Sequence, residues 1–190
     1  MTEHVPITNV PTRVKLRVED YLSLDRDGAF DGYGKTELID GEVVYMNAQH
    51  RPHARIKSRL YTAVSATLSA RSERLEALVE GSIAVPPHNV PEPDITITSE
   101  PDGRGLIPLE TVRLIIEVSD TTLRLDLDQK SFIYAAHRVP EYWVVDVNGR
   151  EVHQMWAPET GVYNERHLHS FGDPITAITI DGLTVTTDQL

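Results

Sequence analysis

Residues 113–146 read RLIIEVSDTTLRLDLDQKSFIYAAHRVPEYWVVD. The run at 114–119, LIIEVS, is written like a buried strand, yet Glu117 stands in the middle of it. Burying a lone carboxylate costs several kcal/mol or more unless a partner or a cation compensates it. Downstream, Asp126, Lys130 and Tyr134 recur at i, i+4 and i+8. That spacing sets them along one face of a helix predicted from about residue 126 to 137. Val139 and Pro140 stop the helix, and YWVVDV follows as a buried strand.

Working outward, KTELIDGEVVYM (35–46) alternates on either side of Asp40 and Gly41, a pair suited to a two-residue hairpin turn. Ile56, Leu60, Val64 and Leu68 form a stripe at i+4, the mark of an amphipathic helix. EGSIAV (80–85) and DITIT (94–98) are predicted strands, separated by the irregular PPHNVPEP. VEDYLSL suggests a short helix near residue 20, and Asn148 and Gly149 turn YWVVDV into the strand REVHQMWA. Short strands fill the carboxy-terminal part. From residue 53 to 147 the order is helix, strand, strand, strand, helix, strand. This is a mixed α/β fold packed in layers. Residues 1–13 are expected to be a loose arm and 14–190 a single domain.

Composition narrows the classes. The chain of 190 residues has no cysteine, which excludes disulfides, thiolate metal sites and a cysteine nucleophile. No run of 18 apolar residues occurs, so a soluble, cytoplasmic protein without membrane contact is expected. The net charge of −11 argues against a general nucleic-acid binder. The acids are unevenly spread, however. None lies between Glu42 and Glu73, where Arg51, Arg55, Lys57, Arg59 and Arg71 form a basic stretch that could meet phosphates or be a solvated face.

Three pieces can carry chemistry. Asp94 follows Pro93 at the start of one strand, and Glu117 shares a strand face with Ile115. If those strands are neighbours, both carboxylates could reach the same end of the sheet. Close carboxylates repel unless a cation lies between them, and hard oxygen donors suit Mg²⁺ or Mn²⁺. Lys130 could then orient an attacking water and steady charge developing on phosphorus. Each residue also has a purely structural use: a turn for Asp94, an ion pair for Glu117 with Lys130, a helix start for Asp126, a core aromatic for Tyr134. His53 could contact phosphate or cap its helix. His167 and His169 share a strand face but lack a nearby third ligand.

Taken together, P-D, E-V-S, D-x-x-x-K-x-x-x-Y and V-P-E-Y-W-V-V-D resemble the Uma-type family, described as bacterial endonucleases of the PD-(D/E)XK, or restriction-endonuclease-like, superfamily. ELIDGEVVYM and PHARI are similar to the amino-terminal half of that family, so the resemblance covers roughly residues 18–186. It implies an αβββαβ core with a mixed central sheet, an added amino-terminal hairpin and carboxy-terminal strands. It implies metal-dependent hydrolysis of DNA, with Mg²⁺ or Mn²⁺ held by Asp94, Glu117 and the Val118 carbonyl and with Lys130 assisting. His53, Asp126 and Tyr134 would be accessory, and Arg51, Arg55, Lys57 and Arg59 would face DNA. A homodimer is compatible with this. Most of the superfamily carries the lysine two residues after the glutamate, where this chain has Ser119; the Uma-type pattern takes it from the next helix. His137 and Arg138 stand where relatives often have glycine, which costs the helix its favoured cap. Two rival functions fit the same residues: a catalytically silent binding or assembly module, and a metal-dependent hydrolase of a small phosphate ester.

Overall fold

The computed structural model describes residues 13–70, 74–100 and 102–190. The chain forms α1 (Val18–Arg26), a hairpin of β1 (Thr36–Ile39) and β2 (Glu42–Tyr45), α2 (Arg51–Ser69), β3 (Glu76–Val79), β4 (Ile83–Ala84), β5 (Ile95–Thr98), β6 (Ile107–Pro108) and β7 (Val112–Ser119). A π-helical stretch, Leu125–Lys130, runs into α3 (Ser131–Ala136). β8 (Glu141–Asp146), β9 (Glu151–Glu159), β10 (Val162–Ser170), β11 (Pro174–Thr176) and β12 (Thr184–Thr186) complete it. Among the described residues no helix is long and apolar enough to cross a membrane.

Six strands form the central sheet in the order β10-β9-β8-β7-β5-β3. β7 and β8 run parallel and every other pair is antiparallel. A parallel pair needs a crossover, and the π stretch with α3 supplies it. The set α2-β3-β5-β7-α3-β8 is the αβββαβ core of the restriction-endonuclease-like fold, with β1–β2 added before it and β9–β12 after it.

Alternation along β7 assigns the layers. Leu114, Ile116 and Val118 pack with the α2 stripe Ile56, Leu60, Val64 and Leu68, and with Ile175, Leu183 and Val185 from the carboxy-terminal strands. Ile115 turns to the other face, among Ile133, Tyr134, Ala135, Tyr142 and Val144. Each fully buried aliphatic side chain contributes about 1.5–3 kcal/mol, so the two layers hold the sheet from both sides. Glu117 lies on the α3 side, one alternation beyond Ile115.

Several local expectations are corrected. The segment EGSIAV is not the first strand of the core: Glu80 takes φ +54 and breaks the run, leaving only the two-residue β4, which pairs with β6. The strand that joins the sheet is β3, just before it. The helix before β8 is wound as a π-helix until Lys130, so its residues do not follow i+4 spacing from Asp126. Of the predicted arm, residues 1–13, only Arg13 is among the described residues, and it pairs with Glu42 at 2.7 Å on the surface. The hairpin holds as read, with Asp40 at φ +51 and Gly41 at φ +79. Arg138 sits at φ +61, the left-handed position that glycine would fill. The helix end is still closed, by the Arg138 N–H to Ala135 O at 3.1 Å and the Val139 N–H to Tyr134 O at 3.0 Å.

A second buried acid shows how this fold compensates a carboxylate without a cation. Glu141 is 0% exposed, with Oε1 accepting from Trp143 Nε1 and Gln154 Nε2, each at 2.7 Å. Its Oε2 accepts from the N–H groups of Ile178 and Thr179 and from the Thr179 hydroxyl, at 2.8–2.9 Å. Those bonds tie β8 to the carboxy-terminal segment. Glu141→Gln, which replaces one acceptor oxygen by a donor, should lower the unfolding free energy by about 3 kcal/mol in urea titration.

Candidate active site

β5 and β7 are antiparallel neighbours with Ile95 opposite Ile116, so the next step along the ladder sets Asp94 beside Glu117. Each acid accepts a main-chain N–H from the other's strand or its flank. The Asp94 N–H donates to Glu117 Oε2 at 3.3 Å, and the Val118 N–H donates to Asp94 Oδ2 at 2.8 Å. Lys130 enters from the end of the π stretch, its Nζ 2.9 Å from Glu117 Oε1. Tyr134 donates its hydroxyl to the same oxygen at 3.3 Å. Asp94, Glu117 and Lys130 therefore converge, each no more than 5% exposed, at the floor of a cleft of about 980 Å³.

Sequence reasoning missed a third carboxylate. Glu37, on β1, is 0% exposed and sits on the far side of Lys130, with Nζ 3.3 Å from Oε1 and 3.1 Å from Oε2. Oε1 also accepts the Glu92 N–H at 3.1 Å, while Oε2 receives no well-directed hydrogen bond. In the sequence Glu37 is one polar residue in an alternating hairpin. Only the packing of that hairpin over the β7 and α3 layer turns it inward.

The remaining predicted residues divide. His53, buried on α2, places Nε2 3.1 Å from Asp94 Oδ2, so it is a neighbour of the acid and not a helix cap. Lys57 leaves the basic stretch for the cleft: its Nζ lies 3.4 Å from Asp94 Oδ1 and 2.7 Å from Glu80. Asp126 lines the cleft but is turned to Ser119 and Thr122, whose hydroxyls it accepts at 2.6 and 2.7 Å. Arg51, Arg55 and Arg59 project outward from α2, Arg59 bonding the Gln189 carbonyl. Arg71 lies outside the described residues. His169 bonds Gln154 Oε1 at 2.7 Å and stacks near His167, away from the cleft. Asp146, Glu151 and His153 bring possible ligand atoms within 4.8 Å of one another, but Asp146 Oδ1 is engaged by the N–H groups of Asn148 and Gly149 as a turn.

Electrostatics separate the two acids. Burial pushes the Glu117 carboxyl up to about 8, against the pull of Lys130, with Asp126, Asp94 and Glu37 adding repulsion. Burial also opposes the charged form of Asp94, but hydrogen bonding and charge from His53, the Val118 N–H and Lys57 together hold it below the ordinary aspartate range. Burial works against the Lys130 ammonium too, and the charges of Glu117 and Glu37 outweigh it and raise its pKa. The site thus has two differently poised acids, Glu117 bonded to a firmly charged lysine and Asp94 to His53 and the Val118 N–H.

A family profile described as "Uma2: Putative restriction endonuclease" matches residues 18–188. The chain belongs to the Uma2 family. Among solved structures, the crystal structure of "a putative nuclease belonging to DUF820" from Anabaena variabilis ATCC 29413 is similar with a TM-score of 0.63 at 14% identity. That match covers 85% of this chain and 89% of the other, which shows a shared fold. No individually curated protein matches the sequence. The Uma2 match spans the hairpin that carries Glu37, both acidic strands and the lysine helix, so every residue described in the cleft lies inside it.

Proposed function

We propose that this Uma2 protein is a metal-dependent endonuclease that hydrolyses phosphodiester bonds of DNA, with residues 14–190 acting as one domain. The observation that carries the reading is the meeting of Asp94 and Glu117 across β5 and β7 with Lys130 in hydrogen-bond reach. The donor set suits Mg²⁺ or Mn²⁺: the cleft is lined by the carboxylates of Asp94 and Glu117 and by Val118, hard oxygen donors side by side. Asp94, Glu117 and the Val118 carbonyl would hold the ion, which supplies Lewis acidity and a nucleophile stronger than bulk water. Lys130 stabilises negative charge as it develops on the phosphate, in a site shielded from solvent where that charge interacts strongly. Glu37 and Glu117 together keep Lys130 paired and in place. His53 and Lys57 orient Asp94, and Tyr134 orients Glu117.

An open cleft over these residues supports catalysis above a silent assembly module. A small phosphate ester is the second reading, favoured by the acidic balance of the chain. Incubation with plasmid, single-stranded DNA and a chromogenic phosphodiester, each with Mg²⁺, Mn²⁺ or EDTA, separates these outcomes. Cleavage of DNA only with metal is expected; turnover of the ester alone would replace the reading.

Binding of an ion to the folded state alone stabilises it by mass action, about 2.7 kcal/mol at a hundredfold excess over Kd. Mn²⁺ at millimolar concentration should therefore raise the unfolding temperature of the natural protein and leave that of Asp94→Asn unchanged. Equal shifts in both would put the ion elsewhere, Asp146, Glu151 and His153 being the alternative.

A further inference from the structure

Two tyrosines stand at the mouth of the cleft. Tyr33 is 60% and Tyr45 63% exposed, and both line the same cavity whose floor holds Asp94 and Glu117. Tyr45 lies on β2, opposite Thr36 of β1, and Tyr33 precedes the hairpin. Their ring centroids are 6.0 Å apart and tilted by 40°, so each ring leaves a face open to the cleft side or to solvent. Among the described residues neither hydroxyl has a hydrogen-bond partner. Aromatic rings of this size bury large areas when something covers them, and here nothing from the described residues does.

The cations of the cleft point to the same conclusion by a different route. Lys35 is held by Glu92 at 3.1 Å, Lys57 by Glu80 and Asp94, and Lys130 by Glu37 and Glu117. His50 lies 3.6 Å from Asp120. Among the described residues, both lysines lining the cavity, Lys35 and Lys130, are thus matched to carboxylates, and so is Lys57 beside it. A surface that follows the phosphates of a duplex needs a row of uncommitted lysines and arginines. This cleft instead offers ring faces beside the acids. Ring faces grip unpaired bases, since a base inside a duplex has both faces covered by its neighbours.

We infer that Tyr33 and Tyr45 form a stacking subsite for unpaired nucleobases next to the scissile phosphate, which makes a strand with exposed bases the substrate class of this cleft. The inference rests on the nuclease reading above and deepens it. A single-stranded or gapped substrate lays its bases on the rings while its backbone descends to the acids. A continuous duplex cannot use the subsite without extruding a base.

The test measures binding in EDTA by fluorescence anisotropy, using a labelled single-stranded oligodeoxynucleotide and the same strand annealed as a blunt duplex. The natural protein should bind the single strand more tightly. Tyr33→Ala and Tyr45→Ala should each weaken single-strand binding by roughly 5- to 100-fold, the range expected from one lost base–ring stack. Duplex binding should not change. Tyr33→Phe and Tyr45→Phe should retain the natural affinity, because stacking needs the ring and not the hydroxyl. A 2-aminopurine in the strand should be quenched by the natural protein and less so by the alanine variants. Both rings are mostly exposed, so the variants should fold, which their unfolding curves check. Equal loss on both DNA forms, no loss at all, or a phenylalanine variant as weak as the alanine one would overturn the stacking subsite while leaving the nuclease reading standing. A natural protein that binds neither form and cleaves neither with Mn²⁺ would overturn both.

Discussion

Lys130→Met is expected to lower the unfolding free energy by about 3–5 kcal/mol and to abolish metal-dependent cleavage. Methionine preserves much of the volume of the 2%-exposed lysine, so packing changes little. What changes is charge. Glu37, which takes the ammonium at 3.1–3.3 Å, would be left buried without its cation, and Glu117 would lose the donor that Lys130 supplies to Oε1 at 2.9 Å. Removing one partner of such a cluster costs more than the pair contributes, since the remaining charges stay desolvated. Urea titration reads the stability and plasmid relaxation the activity. Mn²⁺ should restore part of the lost stability by taking the place of the ammonium, and should restore no cleavage. Stability equal to that of the natural protein would mean that Lys130 has no clamping role.

Glu117→Gln should separate stability from activity in the opposite sense. The folded state keeps a proton on Glu117 up to about pH 8, whereas the unfolded chain releases it near pH 4.5. The folded state thus binds more protons within that window, so the stability gained from this group is complete below about pH 4.5 and is lost as the pH rises through 8. The slope can reach about 1.4 kcal/mol per pH unit. Glutamine mimics the protonated acid at every pH. The variant should match the natural protein at pH 5, exceed it in stability at pH 9, and cleave at least a thousandfold more slowly at both, taking loss of a metal-binding acid as about 4 kcal/mol of transition-state stabilisation. A parallel pH dependence in the two proteins would show that Glu117 is ionised throughout.

How far these features could be read in advance follows from where their causes lie. The turn at Asp40 and Gly41, the α2 stripe and the run around Glu117 depend on residues adjacent in sequence or one helical turn apart, so periodicity and turn chemistry reveal them. The meeting of Asp94 with Glu117 depends on strand pairing, which residues alone left open and which the family resemblance implied. Glu37 was hidden because depth is a tertiary property: the same Glu in a solvent-facing hairpin would look identical. The π winding before Lys130 was hidden for a related reason, since its residues are ordinary helix formers and only the packing around them selects the winding. Lys57 belongs to a basic run by composition, yet its rotation on α2 takes it to Asp94 while Arg51 and Arg55 remain outside.

The bonds between Asp94 and Glu117 also bear on inheritance. Each acid accepts or supplies a main-chain tie between β5 and β7, and Lys130 fills a position that the fold cannot leave uncharged. A descendant released from selection on catalysis would still be under selection to fold, and folding alone would preserve Lys130 and, at each acid position, a side chain able to accept the same main-chain N–H. An intact Lys130 among homologous genomic sequences therefore counts well-folded copies rather than working ones. Decay of activity should be written first at the cleft rim, in positions such as Tyr33 and Tyr45 that the fold does not need.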